Sequence, residues 1–191
     1  MKINSLISAC ILSVLSASSF ANSEYTLNSN MSSISFTTVK NQYVIERYNI
    51  DNLQGSIDKK GNFNISINLS YLNSSIPIRD SRMNELFFET SKFPSVNIEG
   101  NFDFSKLSEN SVGKITVPAE VTMYGHTKRF IFPVVLSNKS DTLTIASYSP
   151  VIVQAEDFGI PRENLIKLAE TVGGIKISST VPINMILIFE K

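Results

Sequence analysis

The chain has 191 residues, of which 42% are hydrophobic and 18% charged, a composition typical of a globular protein and unlike that of a disordered tail. Its 17 Lys and Arg residues balance 17 Asp and Glu residues, and without a basic excess we expect no nucleic-acid partner. One Cys and one His exclude most zinc, iron–sulfur and Cys–His nucleophile sites, so we expect no metal site, no cofactor and no enzyme.

The first 21 residues have the pattern of a secretory signal peptide. One Lys is followed by an apolar stretch from Leu6 to Leu15 and by small residues that end at Ala21. The apolar stretch is about half as long as a transmembrane helix requires, so we expect cleavage after Ala21. Residues 22–191 are then expected to form one cysteine-free domain, and a Gram-negative periplasm is its simplest destination.

Alternation of polar and apolar residues dominates the rest of the chain. In segment 62–71 the residues Phe63, Ile65, Ile67, Leu69 and Tyr71 alternate with Asn and Ser, which predicts a strand with one buried face. The same pattern, or a weaker form of it, predicts strands near 32–40, 44–58, 95–104, 114–123, 128–137, 142–155 and 175–189.

Short polar turns separate these strands, notably at 58–61, 124–127 and 137–141. Neighbours joined so closely must be antiparallel, because parallel strands need long crossover connections. Only 80–90 and 161–171 break the alternation, and both are compatible with a short helix. The sequence therefore predicts an all-β antiparallel meander, closed as a barrel or folded as a sandwich.

Four motifs follow one another in a distinctive order. They are Gln54-Gly55-Ser56-Ile57 with Gly61, the segment 76–100 with its Arg-Asp, Phe-Phe and Lys-Phe-Pro sequences, the hairpin 121–136, and Asp157-Phe158-Gly159-Ile160. Together they cover essentially all of residues 24–190. Behind a signal peptide, this order resembles the YceI-like family of secreted bacterial proteins that bind polyisoprenoids and other lipids.

The resemblance implies a lipocalin-like antiparallel β-barrel of about eight strands with one or two short capping helices. It also implies a non-catalytic protein that binds, sequesters or transports a polyisoprenoid or isoprenoid quinone in an internal tunnel. Many relatives have His residues near the first two strands and an Arg before the Asp-Phe-Gly turn. This sequence has neither, which puts the head-group contacts of relatives in doubt here.

Inward-facing apolar residues of the predicted strands are the candidates for lining such a tunnel. They are Phe36, Phe63, Ile65, Ile67, Phe102, Phe104, Val121, Met123, Phe130 and Phe132. The alternative for each of them is an ordinary solid core.

A second group of residues, around the first predicted helix, is a candidate lid or entrance. Phe87, Phe88 and Phe93 either cover the mouth or fasten the helix to the barrel. Arg79, Asp80 and Arg82 either meet a polar head group or cap the helix, with Asp80 as its N-cap.

Two other classes of protein are compatible with the sequence. An outer-membrane barrel would turn its apolar strand faces outward to lipid, and a secreted enzyme or inhibitor would act through its loops. The partners expected are a hydrophobic lipid and, transiently, a membrane or membrane protein, while a homodimer is compatible with the sequence.

Overall fold

The computed structural model describes residues 23–103 and 110–191, so the predicted signal peptide and Phe104 lie outside the described residues. Twelve β-segments run in chain order: β1 (Ser23–Leu27), β2 (Ser33–Lys40), β3 (Val44–Ile50), β4 (Gln54–Asp58), β5 (Asn62–Asn68), β6 (Leu72–Asn73), β7 (Ser95–Asn101), β8 (Ser111–Met123), β9 (His126–Lys139), β10 (Thr142–Ser147), β11 (Val151–Gln154) and β12 (Thr180–Glu190).

These segments form the eight strands of one closed antiparallel barrel, which confirms the predicted fold class. Four of the eight strands are interrupted, and each of these consists of two segments that have the same neighbouring strands. The pairs of segments are β1 with β2, β3 with β4, β5 with β6, and β10 with β11. The strands therefore neighbour one another in chain order. Pairing of the last strand with the first, at Leu27 with Phe189 and Phe36 with Ile183, closes the ring.

The apolar strand faces point into this barrel. In β8, Val117, Ala119 and Val121 are buried, while the intervening Pro118 and Glu120 are exposed. This orientation is the reverse of the one that the outer-membrane alternative requires.

Several helical segments gather at one end of the barrel. Helix α1 spans Pro77–Arg82 and continues directly into a π-helical turn, Met83–Phe87, and helix α2 spans Arg162–Glu170. Helix α1 begins three residues before the predicted start at 80, because Pro77 is well suited to a first turn. Among the described residues, no helix is long and apolar enough to cross a membrane.

The opposite end of the barrel is filled more completely. Its core includes side chains with no exposed surface at all, namely Leu53, Ile57, Val134, Leu136, Leu143 and Phe189. The helical end is less completely filled, and that difference positions the candidate site.

Candidate functional site

An apolar cavity of about 140 Å³ lies inside the barrel at its helical end. Its wall combines inward residues of the strands with side chains of the π-helical turn and α2, including Met83 and Leu168. Three of the chain's five methionines, Met83, Met123 and Met185, line it. Because Met side chains are flexible and unbranched, this wall can adapt its shape more readily than one built of β-branched residues.

The structure places the predicted tunnel residues in two groups. Phe36, Ile67, Val121, Met123, Phe130 and Phe132 line the main cavity. Phe63, Ile65 and Phe102, together with Phe132, line a smaller cavity of about 30 Å³ deeper in the barrel.

Three side chains separate the two cavities. Ile98 of β7, Phe132 of β9 and Met185 of β12 line both, so they form a partition between them. The interior is thus neither one open tunnel nor a solid core. A long chain passes from one cavity to the other only when these side chains move.

The segment after α1 contributes two aromatic rings to the wall of the main cavity. Phe87 and Phe88 both line it and meet edge to face, with ring centroids 4.9 Å apart. Asn164 of α2 donates from Nδ2 to the carbonyl oxygen of Phe87 at 3.1 Å, which ties the two helical segments together. Asn164 thereby holds in place the segment that carries the two rings.

Glu89 fastens the same segment to the barrel. Hydrogen bonds from Lys92 Nζ at 2.7 Å, from the Tyr124 hydroxyl and from Asn164 Nδ2 at 3.1 Å lower the pKa of Glu89 to about 2. Phe93 does not line the main cavity, and its ring packs on that of Tyr124 at a tilt of 33°, with ring centroids 4.0 Å apart. Sequence patterns do not reveal this network, because its members come from distant parts of the chain.

A polar cluster lies at the end of the cavity beside α1. Lys40 Nζ contacts Glu46 Oε2 at 2.7 Å, and Arg79 of α1 contacts Glu46 Oε1 at 2.8 Å. The side chains of Lys40 and Glu46 are only 9% and 11% exposed, so this ion pair is largely shielded from water. One carboxylate between two cations leaves the cluster with a surplus positive charge.

Two further polar groups face the same end of the cavity. Burial and the nearby Glu46 carboxylate raise the pKa of the Tyr48 phenol, whose ring stacks on Phe36 at 5.0 Å. Thr38 is also buried, and its Oγ1 lacks a well-formed hydrogen bond among the described residues. Both side chains line the cavity, as does Lys40.

Lys40 was identifiable from the sequence in principle. The alternation that buries Ile34 and Phe36 in β2 continues through Thr38 to Lys40, so the pattern places a cation on the inner face. A cation in that position requires a carboxylate partner. The sequence does not show that this partner is shared with a residue of α1.

The remaining entrance candidates lie beside the cluster. Arg79 and Arg82 line an outer pocket. Lys40, Glu46 and Tyr48 also line this pocket and connect it to the polar cluster. Asp80 accepts a hydrogen bond from the backbone N–H of Ser74 at 2.8 Å. The alternative role of Asp80 as N-cap is wrong, because the helix begins earlier and Ile76 occupies the N-cap position.

Among residues 23–103 and 110–191, no group of three or more His, Cys, Asp or Glu side chains is suited to hold a metal ion. His126 is exposed at the start of β9, where its ring lies against Gly159.

The family model of the YceI-like domain matches residues 25–189, which is most of the chain. This chain belongs to the YceI-like family. No curated protein matches the sequence.

Solved structures share the fold of this YceI-like protein. A polyisoprenoid-binding domain from Saccharophagus degradans, implicated in plant cell wall breakdown, superposes with a TM-score of 0.83 at 23% identity, covering 88% of this chain and 99% of that domain. BcnA of Burkholderia cenocepacia gives a TM-score of 0.64 at 12% identity, covering 85% of this chain and 98% of that one. At these identities the comparisons establish the common barrel and leave the ligand open.

Proposed function

We propose that this protein binds a long apolar lipid, such as a polyisoprenoid or isoprenoid quinone, inside its barrel, and sequesters or carries it in the periplasm without catalysis. The observation that carries the proposal is the apolar cavity closed by Phe87 and Phe88 with a polar cluster at one end. An isoprenoid tail has no hydrogen-bonding groups, and its complement is a dry pocket of aliphatic and aromatic side chains.

The size of the cavity sets a condition on this binding. A cavity of about 150 Å³ holds one benzene molecule, so the 140 Å³ of the main cavity holds about one isoprene unit. A longer tail requires the methionines of the wall and the partition to change conformation. We infer that a bound tail widens the cavity by moving these side chains.

The polar cluster fits the head of such a lipid. Arg79 and Arg82 donate hydrogen bonds that suit a quinone oxygen or a phosphate, and Asp80 lies between them in the helix. Thr38 and Tyr48 supply hydroxyl groups on the cavity side. The tail would then extend away from the cluster, toward the partition.

Energetics favour reversible exchange over permanent storage. The tail of a membrane lipid is already out of water, so transfer from a bilayer into the barrel gains little hydrophobic free energy. The protein would therefore take up and release its ligand at a membrane or at a membrane protein. Such exchange suits a carrier between two membranes.

A binding titration with a fluorescent geranylgeranyl probe tests the proposal. Val121→Phe fills the main cavity from its wall, and we expect it to weaken binding by about tenfold or more. Glu120→Phe adds the same ring one residue away on the exposed face and is expected to bind as the wild type does. Equal binding by both variants would place the probe outside the cavity and reject the proposal.

A further inference from the structure

Exposed apolar side chains lie on two of the segments that contribute to the outer pocket at the helical end of the barrel. In the turn that follows β2, Tyr43 is 83% exposed, and at the start of β3 Ile45 is 70% exposed, with the exposed Val44 between them. On α1, Ile78 is 58% exposed, and its neighbour Ile76 is also exposed. We call these five residues the mouth rim.

The two segments that carry the mouth rim are in direct contact. Glu46, which follows Ile45 in β3, is bound to Arg79, which follows Ile78 in α1, at 2.8 Å. Ile76 and Ile78 line the outer pocket, and that pocket shares Lys40, Tyr48 and Leu168 with the main cavity. The rim therefore lies where a ligand would enter or leave at this end of the barrel.

We propose that the mouth rim inserts into the surface of an anionic lipid bilayer and so holds the opening of the cavity against the membrane. This inference rests on the proposed function, because it names the surface through which the lipid would be exchanged. Aromatic and aliphatic side chains flanked by long cationic ones are typical of segments that lie in the interfacial region.

The charge around the rim agrees with this partner. Segments 40–47 and 76–82 contain four cationic residues, Lys40, Arg47, Arg79 and Arg82, against the two acidic residues Glu46 and Asp80. Lys40 and Arg79 share the Glu46 carboxylate, and Lys40 is largely shielded from water. The exposed Arg47 and the partly exposed Arg82 are therefore the cations that would attract anionic head groups, while the whole chain has no net charge.

The small extent of the rim favours a bilayer over a protein partner. Specific protein interfaces use about 20–30 residues on each side, whereas the rim consists of a hairpin tip and the first turn of a short helix. Two such projections can enter a fluid surface without shape complementarity. They leave the outer pocket between them in contact with the lipid.

Vesicle flotation with a matched pair of double variants tests the docking surface. The probe is a vesicle of phosphatidylethanolamine and phosphatidylglycerol, and the proteins are the mature wild type, Tyr43→Ser/Ile45→Ser and Val112→Ser/Ile131→Ser. The control residues are similarly exposed, at 71% and 64%, but lie on β8 and β9 away from the rim. None of the four residues lines the cavity.

We expect the wild type and the control variant to float with the vesicles and the rim variant to bind them about tenfold more weakly. Replacing phosphatidylglycerol by phosphatidylcholine should weaken binding of the wild type. Equal flotation of the two double variants, or no flotation of the wild type, would overturn the inference. So would a rim variant that floats as the wild type does but no longer forms dimers, because the rim would then contact a second copy of the chain.

A separate titration of each protein with the geranylgeranyl probe in solution distinguishes this inference from the proposed function. The rim variant should bind the probe as tightly as the wild type does. If none of the three proteins binds the probe, the proposed function fails, whatever the flotation shows.

Discussion

Arg79 of helix α1 contacts Glu46 of strand β3 at 2.8 Å, and this ion pair joins the helical cap to the barrel wall. Glu46 also contacts Lys40 at 2.7 Å, so one carboxylate balances a cation from the wall and another from the cap. A change in the polar cluster should therefore alter how firmly α1 is held on the barrel wall.

Removing that carboxylate should destabilise the protein. Glu46→Gln leaves Lys40 shielded from water without a counter-charge, and we expect the free energy of unfolding to fall by about 3 kcal/mol. Lys40→Met should cost less, because Glu46 keeps Arg79 as its partner and the cavity wall gains an apolar side chain. Urea denaturation measures both, with exposed Glu120→Gln as the control. If the free energy of unfolding falls no more in Glu46→Gln than in Glu120→Gln, the stabilising role of the polar cluster is contradicted.

The partition should set how long a tail the barrel accepts. Met185→Ala removes one of the three side chains between the cavities and should raise the affinity for geranylgeraniol relative to geraniol by about tenfold. Competition against the fluorescent probe measures this ratio for each protein.

Leu143→Ala is the matched control for Met185→Ala. Leu143 is fully buried but lines neither cavity, so its truncation should destabilise the fold by about 2–5 kcal/mol while leaving the ratio unchanged. An unchanged ratio in Met185→Ala would show that the partition does not limit the tail.

Attachment of α2 should weaken in acid. The pKa of Glu89 is lowered from 4.5 to about 2, so its carboxylate stabilises the folded state fully above pH 4.5, and that stabilisation is lost as the pH falls toward 2. The protection factors of the α2 amides, which are exchange rates corrected for the intrinsic slowing of hydrogen exchange in acid, should fall across this range in the wild type.

The Glu89→Gln variant separates this effect from the titration of other carboxylates. It should show faster exchange in α2 already at neutral pH and a smaller further change in acid, because the group that titrates is gone. Identical pH profiles for the two proteins would contradict the role assigned to Glu89.

The barrel could be predicted from the sequence because the alternation of residues such as Phe63, Ile65 and Ile67 is local information. The interruptions of the strands were not predictable in this way. The break between β3 and β4 depends on Asn52, whose φ is 58°, and this conformation is not encoded by any periodic pattern.

The candidate site was predictable only in part, for a similar reason. Inward-facing apolar residues follow from alternation, but whether they enclose a cavity depends on how side chains from opposite walls meet. The partition of Ile98, Phe132 and Met185 combines three distant strands, and the contact between Glu46 and Arg79 depends on where α1 folds back.

The most direct test of the account is the identity of what the barrel contains when the protein is isolated from its native compartment. Gentle purification followed by organic extraction and mass spectrometry should release a long isoprenoid lipid in nearly equimolar amount, and Val121→Phe should release much less. Protein that yields no lipid, and takes none up from vesicles containing an isoprenoid quinone, would contradict the carrier function.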